Sequence, residues 1–330
     1  MQIVILKAGL LSTIQDQGRT GYRNIGIPVS GAMDSLALQI ANLLVGNDRN
    51  CPVIELTYGD VEVISETAIL VAYCGGGSVL SADGQSLPDA RTLFIPAGTH
   101  LRFDSHNKGC RTYFAIAGGW DAQHVLNSCS TYLPVEIGGL EGRALQAGNR
   151  LKNNQDLSAT TQAMLTQLRS SSINYPQWGV LMNRFADYSS KRVRTIINHE
   201  FDWFDSDSQE AFFTNTFSVS MQSNRMGYQL SGTALIQKTT EQLLSTAVSK
   251  GTIQVTQSGL PILLMADCQT TGGYPRIAQV AAVDLPICAQ LKPGDSIAFD
   301  RIELAEAERA FVKQAKQLSE LEKVIEGRYR

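Results

Sequence analysis

The sequence of 330 residues predicts a mainly β protein with two β-rich domains and a few helices. Short apolar segments recur along most of the chain, and Gly, Asp-Gly or Pro separates them. This spacing is typical of a β-barrel or a β-sandwich. A polar stretch lies near the middle of the chain, and a domain usually contains about 100–200 residues. Together these observations favour two domains.

The first predicted domain spans residues 1–151. Residues 2–6 form its first strand, and a loop rich in Gln, Asp, Gly and Arg follows over residues 13–31. Asp34 is placed to cap a helix. The apolar residues of that helix recur on one face, and a glycine ends it: Leu36, Ile40, Leu43, Leu44 and Gly46. From residue 53 onward the segments are short and strand-like, with Asp83-Gly84 as a predicted hairpin turn.

Residues 152–179 are predicted to connect the domains. They are rich in Asn, Gln, Ser and Thr, and only Ala163 to Leu168 suggests a short helix. Strand patterns then return over residues 180–301, which form the second predicted domain. Its strand candidates are Val193–Ile197, Thr216–Met221, Gly251–Val255, Pro261–Ala266 and Ser296–Phe299.

Residues 302–330 are predicted to form a C-terminal helix. Its apolar residues lie on one stripe: Leu304, Ala307, Phe311, Leu318, Leu321 and Ile325. Such a stripe is expected to pack on the body of the protein. A coiled-coil contact is the alternative, although the pattern covers little more than about three heptads.

Composition argues against several classes of function. The net charge is −3, and no segment concentrates Lys and Arg on one face, so we expect no nucleic-acid binding. The four histidines are scattered and match no metal motif, so we expect no metal site. The six cysteines include no CxxC pair and indicate free thiols in a reducing compartment.

The location of the protein is predicted from its N-terminus and its hydropathy. The N-terminus is predicted to be a strand and not a signal peptide. No run of 18 or more apolar residues is present, which argues against a membrane span. We therefore expect a cytoplasmic protein.

Familiar catalytic motifs are missing from the sequence. It contains neither the GxxxxGK[ST] string of a P-loop nor the GxSxG string of an α/β-hydrolase. The stretch Cys74-Gly75-Gly76-Gly77-Ser78 follows a strand but lacks the lysine of a phosphate-binding loop. A tight loop explains it better.

Polar residues are crowded between glycines in the segment from Thr13 to Tyr22. Gln15, Asp16 and Arg19 are the candidate substrate-binding residues of this segment. Glycines allow close approach of a ligand, and an arginine binds a carboxylate or phosphate at two points. The alternative is a structural loop in which Asp16 and Arg19 pair with each other.

Two further polar segments lie in the second half. One contains Asn224 and Arg225, with a satisfied turn as the alternative. The other begins at Asp267, where an apolar strand ends, and sites often form at such ends. Its candidates are Asp267, Gln269, Gly272, Gly273 and Tyr274, and Gln254 joins the substrate-binding group. Asp267, Gln269 and Arg225 are the catalytic candidates, and the glycine N–H groups are candidates to hold an oxyanion.

These segments resemble a known family. The similar strings include Thr13-Ile14-Gln15-Asp16, Ser223-Asn224-Arg225-Met226-Gly227-Tyr228 and Gln269-Thr270-Thr271-Gly272-Gly273-Tyr274-Pro275. They resemble the biotin-dependent carboxyltransferase A/B family, also known as the allophanate hydrolase subunit 2 or KipA family. That family includes the C subunit of 5-oxoprolinase and the carboxyltransferase region of urea carboxylase. The similarity runs in order from residue 3 to about residue 300.

The resemblance implies two cyclophilin-like β-barrel domains and a hydrolase that works only with two partners, an A subunit and a KipI-like B subunit. Such an assembly opens 5-oxo-L-proline to L-glutamate and consumes ATP as a co-substrate, expected here at an interface between subunits. On this interpretation Arg19 or Arg225 holds the substrate carboxylate or a phosphoryl group, and Asp267 and Gln269 contact the lactam.

Two alternatives stay open. A KipA-like protein would instead be a regulator that antagonises a kinase inhibitor. A carboxyltransferase of the urea carboxylase or allophanate type would need biotin. The chain has no biotinyl region and no Met-Lys-Met string, so biotin would have to come from another protein.

Overall fold

The computed structural model describes residues 1–239, 241 and 243–329. Two helices lie in the first half of the chain, α1 (Ser35–Leu44) and α2 (Ala159–Leu168). The strands of this half are β1 (Gln2–Ala8), β2 (Leu11–Gln15), β3 (Val53–Thr57), β4 (Val61–Ser65), β5 (Ile69–Gly75), β6 (Ser78–Ala82), β7 (Gln85–Ser86), β8 (Leu93–Ile95), β9 (His100–Ser105), β10 (Arg111–Ile116) and β11 (Arg150–Lys152).

The second half contains three further helices, α3 (Ser206–Thr214), α4 (Leu285–Ala289) and α5 (Leu304–Arg328). Its strands are β12 (Arg192–Ile197), β13 (Phe217–Val219), β14 (Gly227–Ser231), β15 (Thr246–Ala247), β16 (Thr252–Val255), β17 (Pro261–Leu264), β18 (Thr271–Gly272), β19 (Arg276–Val280) and β20 (Ser296–Arg301). Short 3-10 turns occur at Arg23–Ile25, Leu133–Val135, Met182–Arg184, Phe201–Trp203 and Ala282–Asp284.

The first half forms two antiparallel sheets. One has the strand order β11-β1-β4-β9-β6-β7, and the other has the order β2-β3-β10-β5-β8. Apolar side chains from both sheets form one core, which includes Ile3, Phe103 and Phe114. The strand spacing left open a barrel or a sandwich, and the resemblance implied a barrel. The strands of this half are hydrogen-bonded in two separate sheets that face each other across one core.

Helix α1 covers the outer face of the second sheet. Val71 of β5 points into the core between the sheets, whereas its neighbour Ala72 belongs to a second core with α1. Both faces of β5 are buried, which explains why this strand is apolar throughout. The Asp34 side chain accepts a hydrogen bond from the Ala37 N–H at 2.9 Å, so the predicted N-cap is confirmed.

The second half is a closed barrel. Its strand order is β12-β19-β16-β17-β14-β13-β20, and the parallel pair β12 and β20 closes it. Helix α3 places Phe212 on the barrel core, where its ring stacks on Phe299 with the centroids 4.7 Å apart. The prediction of a mainly β chain with a C-terminal helix is therefore confirmed.

Helix α5 returns from the barrel to the first half. Leu318 and Ile325 are buried in the core that contains α1, and Arg49 pairs with Glu322 of α5. The predicted stripe was wrong at Leu304 and Phe311, which are 58% and 55% exposed, whereas Ala307 between them is buried as predicted.

The predicted connection over residues 152–179 packs on the first half. Met164 and Leu168 of α2 are buried in the core with α1, and the Phe94 N–H donates to the Asn174 carbonyl at 2.8 Å. The limits of the domains themselves stay a prediction.

Candidate functional site

Asp267 lies where the two halves of the chain meet. It follows β17, and its side chain is only 6% exposed. The carboxylate accepts hydrogen bonds from Arg225 Nε at 2.8 Å and Arg225 Nη2 at 3.1 Å. It also accepts one from Ser30 Oγ of the first half at 2.6 Å. Asp267 is therefore held at two points by an arginine and is tied to the opposite half by a serine.

Arg225 has a second set of partners in the first half. Its Nη1 donates to Glu55 Oε1, and its Nη2 donates to the Gly31 carbonyl at 2.6 Å. Burial lowers the pKa of Arg225, but the charges of Asp267 and Glu55 outweigh it and raise the pKa above its usual value. Arg225 therefore stays positively charged, and its N–H groups donate to partners within the protein. This geometry does not support the predicted contact between Arg225 and a substrate carboxylate.

Glu55 anchors the network within the first half. It lies in β3 and is 1% exposed. Its Oε2 accepts from the Met33 N–H and from Tyr113 Oη, each at 2.8 Å. Both carboxylate oxygens therefore have donors, which a buried carboxylate requires.

Lys250 joins the barrel to the loop of the first half that precedes α1. Its Nζ donates to the carbonyls of Ala32 at 3.0 Å and Met33 at 2.8 Å. Burial lowers the pKa of Lys250 to about 8, and the nearby charges of Glu55 and Asp34 oppose that shift. We refer to the side chains Ser30, Glu55, Arg225, Lys250 and Asp267 as the junction network.

Asp16, in the loop after β2, holds the segment that contains Ser128 and Ser130 by hydrogen bonds. Its Oδ1 accepts from Ser128 Oγ and Ser130 Oγ, each at 2.6 Å, and its Oδ2 accepts from the Cys129 N–H at 2.6 Å. No ion pair between Asp16 and Arg19 occurs in the part of the chain that the structure describes. The alternative in which these two side chains pair is therefore not what the structure has.

Arg19 and Gln15 are both completely buried. Arg19 Nη2 donates to the Ser130 carbonyl, whereas Arg19 Nη1 and Gln15 Oε1 lack partners among the described residues. Burial lowers the pKa of Arg19, and the charges of Asp16 and Asp267 oppose this shift. The charge of Asp267 therefore acts on Arg19, but the side chains of Arg19 and Gln15 are both inaccessible to solvent.

The loop after Asp267 supplies the accessible groups. Gln269 and Gly273 are exposed, and Tyr274 is 44% exposed. Buried Gln254 donates from Nε2 to the Tyr274 carbonyl at 3.0 Å. A Cβ on Gly272 would lie 2.6 Å from Gln254 Nε2, so glycine permits this close approach. Gln254 and Gly272 therefore shape the loop.

Asn224 lies in the turn that precedes β14. It is exposed, and its Oδ1 accepts from the Met226 N–H at 2.8 Å. This is a turn in which the side chain bonds to the backbone two residues later.

The structure thus brings Arg225 and Asp267 into contact and places Arg19 within range of the Asp267 charge. Sequence reasoning missed Ser30, Glu55 and Lys250. Glu55 did leave a signal, because a charged residue within an apolar strand is almost never buried without a partner. Ser30 and Lys250 left none.

The described residues contain no group of three or more His, Cys, Asp or Glu side chains that would suit a metal ion. Among the same residues, no helix is long and apolar enough to cross a membrane.

Comparison with known proteins gives one consistent group. The 5-oxoprolinase C subunit of Escherichia coli (strain K12) is 40% identical over 320 residues, which cover 96% of each chain. The 5-oxoprolinase C subunit of Haemophilus influenzae (strain ATCC 51907 / DSM 11121 / KW20 / Rd) is 33% identical over 324 residues, which cover 98% of this chain and 99% of the relative.

A solved structure of a larger protein has the same fold. The urea carboxylase of Kluyveromyces lactis superposes with a TM-score of 0.86 at 27% identity, and the match covers 97% of this chain and 29% of that one. The family described as carboxyltransferase domain, subdomain A and B, matches residues 25–301. The chain belongs to that carboxyltransferase A and B family.

Proposed function

We propose that this chain is the C subunit of an ATP-dependent 5-oxoprolinase, which opens 5-oxo-L-proline to L-glutamate. The observation that carries this proposal is the 40% identity to a 5-oxoprolinase C subunit over 96% of both chains. A match over nearly the full length favours the same role, because the two proteins then share the whole fold and not one segment of it.

The assembly needs partners. Both of these relatives are named as one subunit of a larger enzyme, and we propose the A and B subunits of 5-oxoprolinase as the partners of this chain. The sequence contains no P-loop, so we place the ATP site at an interface between subunits and treat ATP as a co-substrate. Transfer of the γ-phosphoryl group of ATP to the lactam oxygen would release ADP and make the ring carbon electrophilic. Attack by water would then break the ring C–N bond, with the nitrogen taking up a proton, and a second water would hydrolyse the resulting acyl phosphate to L-glutamate and phosphate.

Asp267 is the residue to which we assign the central role. Its carboxylate is fixed by Arg225 and Ser30, and we assign it to holding in position the loop that presents Gln269 and Gly273 to the substrate. The neighbouring Gln269 and Gly273 are exposed and supply contacts to the lactam. We assign Arg225 to holding Asp267 in place, instead of binding the substrate carboxylate.

Carboxyl transfer is the second candidate. It is favoured by the TM-score of 0.86 to urea carboxylase over 97% of this chain. This chain spans only 29% of that protein, and the remainder has no counterpart here. A carboxyltransferase role would require biotin on a separate protein.

Reconstitution tests the proposal. This chain is purified with candidate A and B subunits, and glutamate release from 5-oxo-L-proline is measured with ATP. We expect release only when all three proteins are present. Full release from the A and B subunits alone would contradict the proposal. Carboxylation of urea with an added biotin carboxylase, without glutamate release, would favour the second candidate.

A further inference from the structure

A pocket of about 470 Å³ lies between the two halves of the chain. Leu11, Tyr58 and Arg111 line it from the first half, and Val219 and Tyr228 line it from the second. Pockets for small ligands typically have volumes of about 300–1,000 Å³, with mostly apolar walls and a few placed polar groups, and they are common between domains. This pocket has each of these properties.

Arg111 forms the charged part of the pocket. Its side chain is 7% exposed. Its Nη1 donates to Tyr228 Oη at 2.7 Å and to the Ala289 carbonyl. Its Nε lacks an acceptor among the described residues, and Glu55 Oε1 lies 4.0 Å away, beyond hydrogen-bond distance. This Nε is shielded from solvent and faces Glu55, so Arg111 acts on the pocket through the positive charge of its fixed guanidinium and not through the Nε–H group.

Asn224 adds a second donor at the pocket. Its Oδ1 is already used by the backbone of Met226, which leaves the Nδ2 group of the amide to donate. The apolar walls include Leu11, Val219 and Leu291, and Thr57 and Ser223 add further polar groups. Leu10 and Met221 also line the pocket and are 74% and 83% exposed, so they form its rim. The lining thus combines donors with a larger apolar surface.

We propose that this pocket binds a small organic carboxylate with a compact apolar body. The carboxylate lies toward Arg111 and Asn224, and the apolar body packs against Leu11 and Val219. A fixed guanidinium and an amide N–H donor match a carboxylate better than a neutral group.

The pocket is connected to the junction network. Arg225 lines it and also holds Asp267, and Arg111 lies within ion-pair distance of Glu55. A carboxylate in the pocket therefore changes the field at the network that fixes Asp267. This inference goes beyond the proposed function, since it concerns a binding site that the chain contains without its partners.

The test uses the isolated chain, without partner subunits or ATP. Binding of cyclopentanecarboxylate is measured by isothermal titration calorimetry and compared with binding of the neutral cyclopentanecarboxamide. We expect saturable binding of the carboxylate, and we expect the amide to bind at least about tenfold more weakly because it lacks the charge. Absent binding of the carboxylate, or equal binding of the amide, overturns the proposal.

A negative charge introduced at the rim of the pocket tests the same proposal with a variant and a control. Met221→Glu places a carboxylate beside the pocket, and like-charge repulsion is expected to weaken binding about tenfold. Leu181→Glu is the control, because Leu181 is 62% exposed and lies outside the pocket lining. Both positions are exposed, so both variants are expected to fold. Equal affinity of the two variants overturns the proposal, whatever the reconstitution experiment shows.

Discussion

Glu55 and Arg225 form an ion pair between the two halves of the chain, and their side chains are only 1% and 8% exposed. Charges removed from water in this way are stable only when they are paired and hydrogen-bonded. Arg225 also holds Asp267, so the same cation joins the halves and fixes the proposed site. The stability of the junction and the function of the site therefore depend on one guanidinium.

Glu55→Gln tests the structural part of this arrangement. The change leaves the buried Arg225 with one carboxylate partner instead of two. Breaking a buried pair typically costs about 3–5 kcal/mol, and the amide retains part of the hydrogen bonding. We expect the free energy of unfolding to fall by roughly 2–4 kcal/mol, as measured by urea denaturation.

Asp60→Asn is the control for that variant. Asp60 pairs with Lys7, and their side chains are 56% and 52% exposed. Exposed pairs contribute about 0–1 kcal/mol. An equal loss of stability in the two variants would show that the Glu55 pair has no special role.

Gly272→Ala tests the shape of the loop after Asp267. The new Cβ would lie 2.6 Å from Gln254 Nε2, and Gln254 is 1% exposed, so its side chain has little room to move. Loss of its hydrogen bond to the Tyr274 carbonyl is expected to cost about 1 kcal/mol and to reduce glutamate release by the assembled enzyme.

Gly273→Ala is the adjacent control. The nearest atom to its Cβ would be the Leu243 carbonyl oxygen at 3.4 Å, which is an ordinary contact. We expect the free energy of unfolding, measured by urea denaturation, to be nearly unchanged. If Gly273→Ala destabilises the chain as much as Gly272→Ala does, close packing against Gln254 is not the reason for the effect.

Lys250 predicts a dependence of stability on pH. Its pKa falls from the usual value of 10.5 to about 8 in the folded chain. Between these values the unfolded chain holds a proton that the folded chain has released, so stability rises with pH in that window. Below about pH 8 both forms are protonated, and the contribution is constant.

Lys250→Met isolates this contribution, because every other titrating group is common to the two chains. We expect the stability difference between the natural chain and Lys250→Met to shift in favour of the natural chain as the pH rises from 8 to about 10. Urea denaturation at several pH values measures it. A difference that stays constant or shifts the other way contradicts a lowered pKa.

The packing of helix α5 on the first half of the chain can be tested by substitutions on its two faces. Ile325 is 2% exposed in the core with α1, whereas its neighbour Val324 is 54% exposed. We expect Ile325→Ala to cost about 2–5 kcal/mol of unfolding free energy and Val324→Ala less than about 1 kcal/mol. Equal losses would mean that α5 does not pack as described.

Local signals were sufficient for much of the fold. Asp34 and the apolar period after it predicted α1 correctly, because a cap and a helical face are encoded over a few residues. The strand β14 (Gly227–Ser231) was missed, since its start overlaps a segment that was interpreted as a binding loop. The exposure of Leu304 and Phe311 depends on where α5 leaves the barrel. The pattern of apolar residues within the helix does not predict that position.

The site was predictable only in part. The end of the strand before Asp267 indicated a polar cluster at the right place. The pairing of Arg225 with Glu55 joins residues 170 positions apart, and only the folded chain brings them together. For the same reason the sequence assigned Arg225 to a substrate, although its donors are occupied by Asp267, Glu55 and Gly31.

Asp267→Ala in the reconstituted assembly tests the central claim most directly. The control is Asp284→Ala, because Asp284 is also 6% exposed and also pairs with an arginine, Arg194, but lies outside the junction network. Glutamate release is measured per assembled complex. We expect Asp267→Ala to abolish release while assembly persists, and we expect Asp284→Ala to retain it. Full release by an assembled Asp267→Ala enzyme would contradict the account.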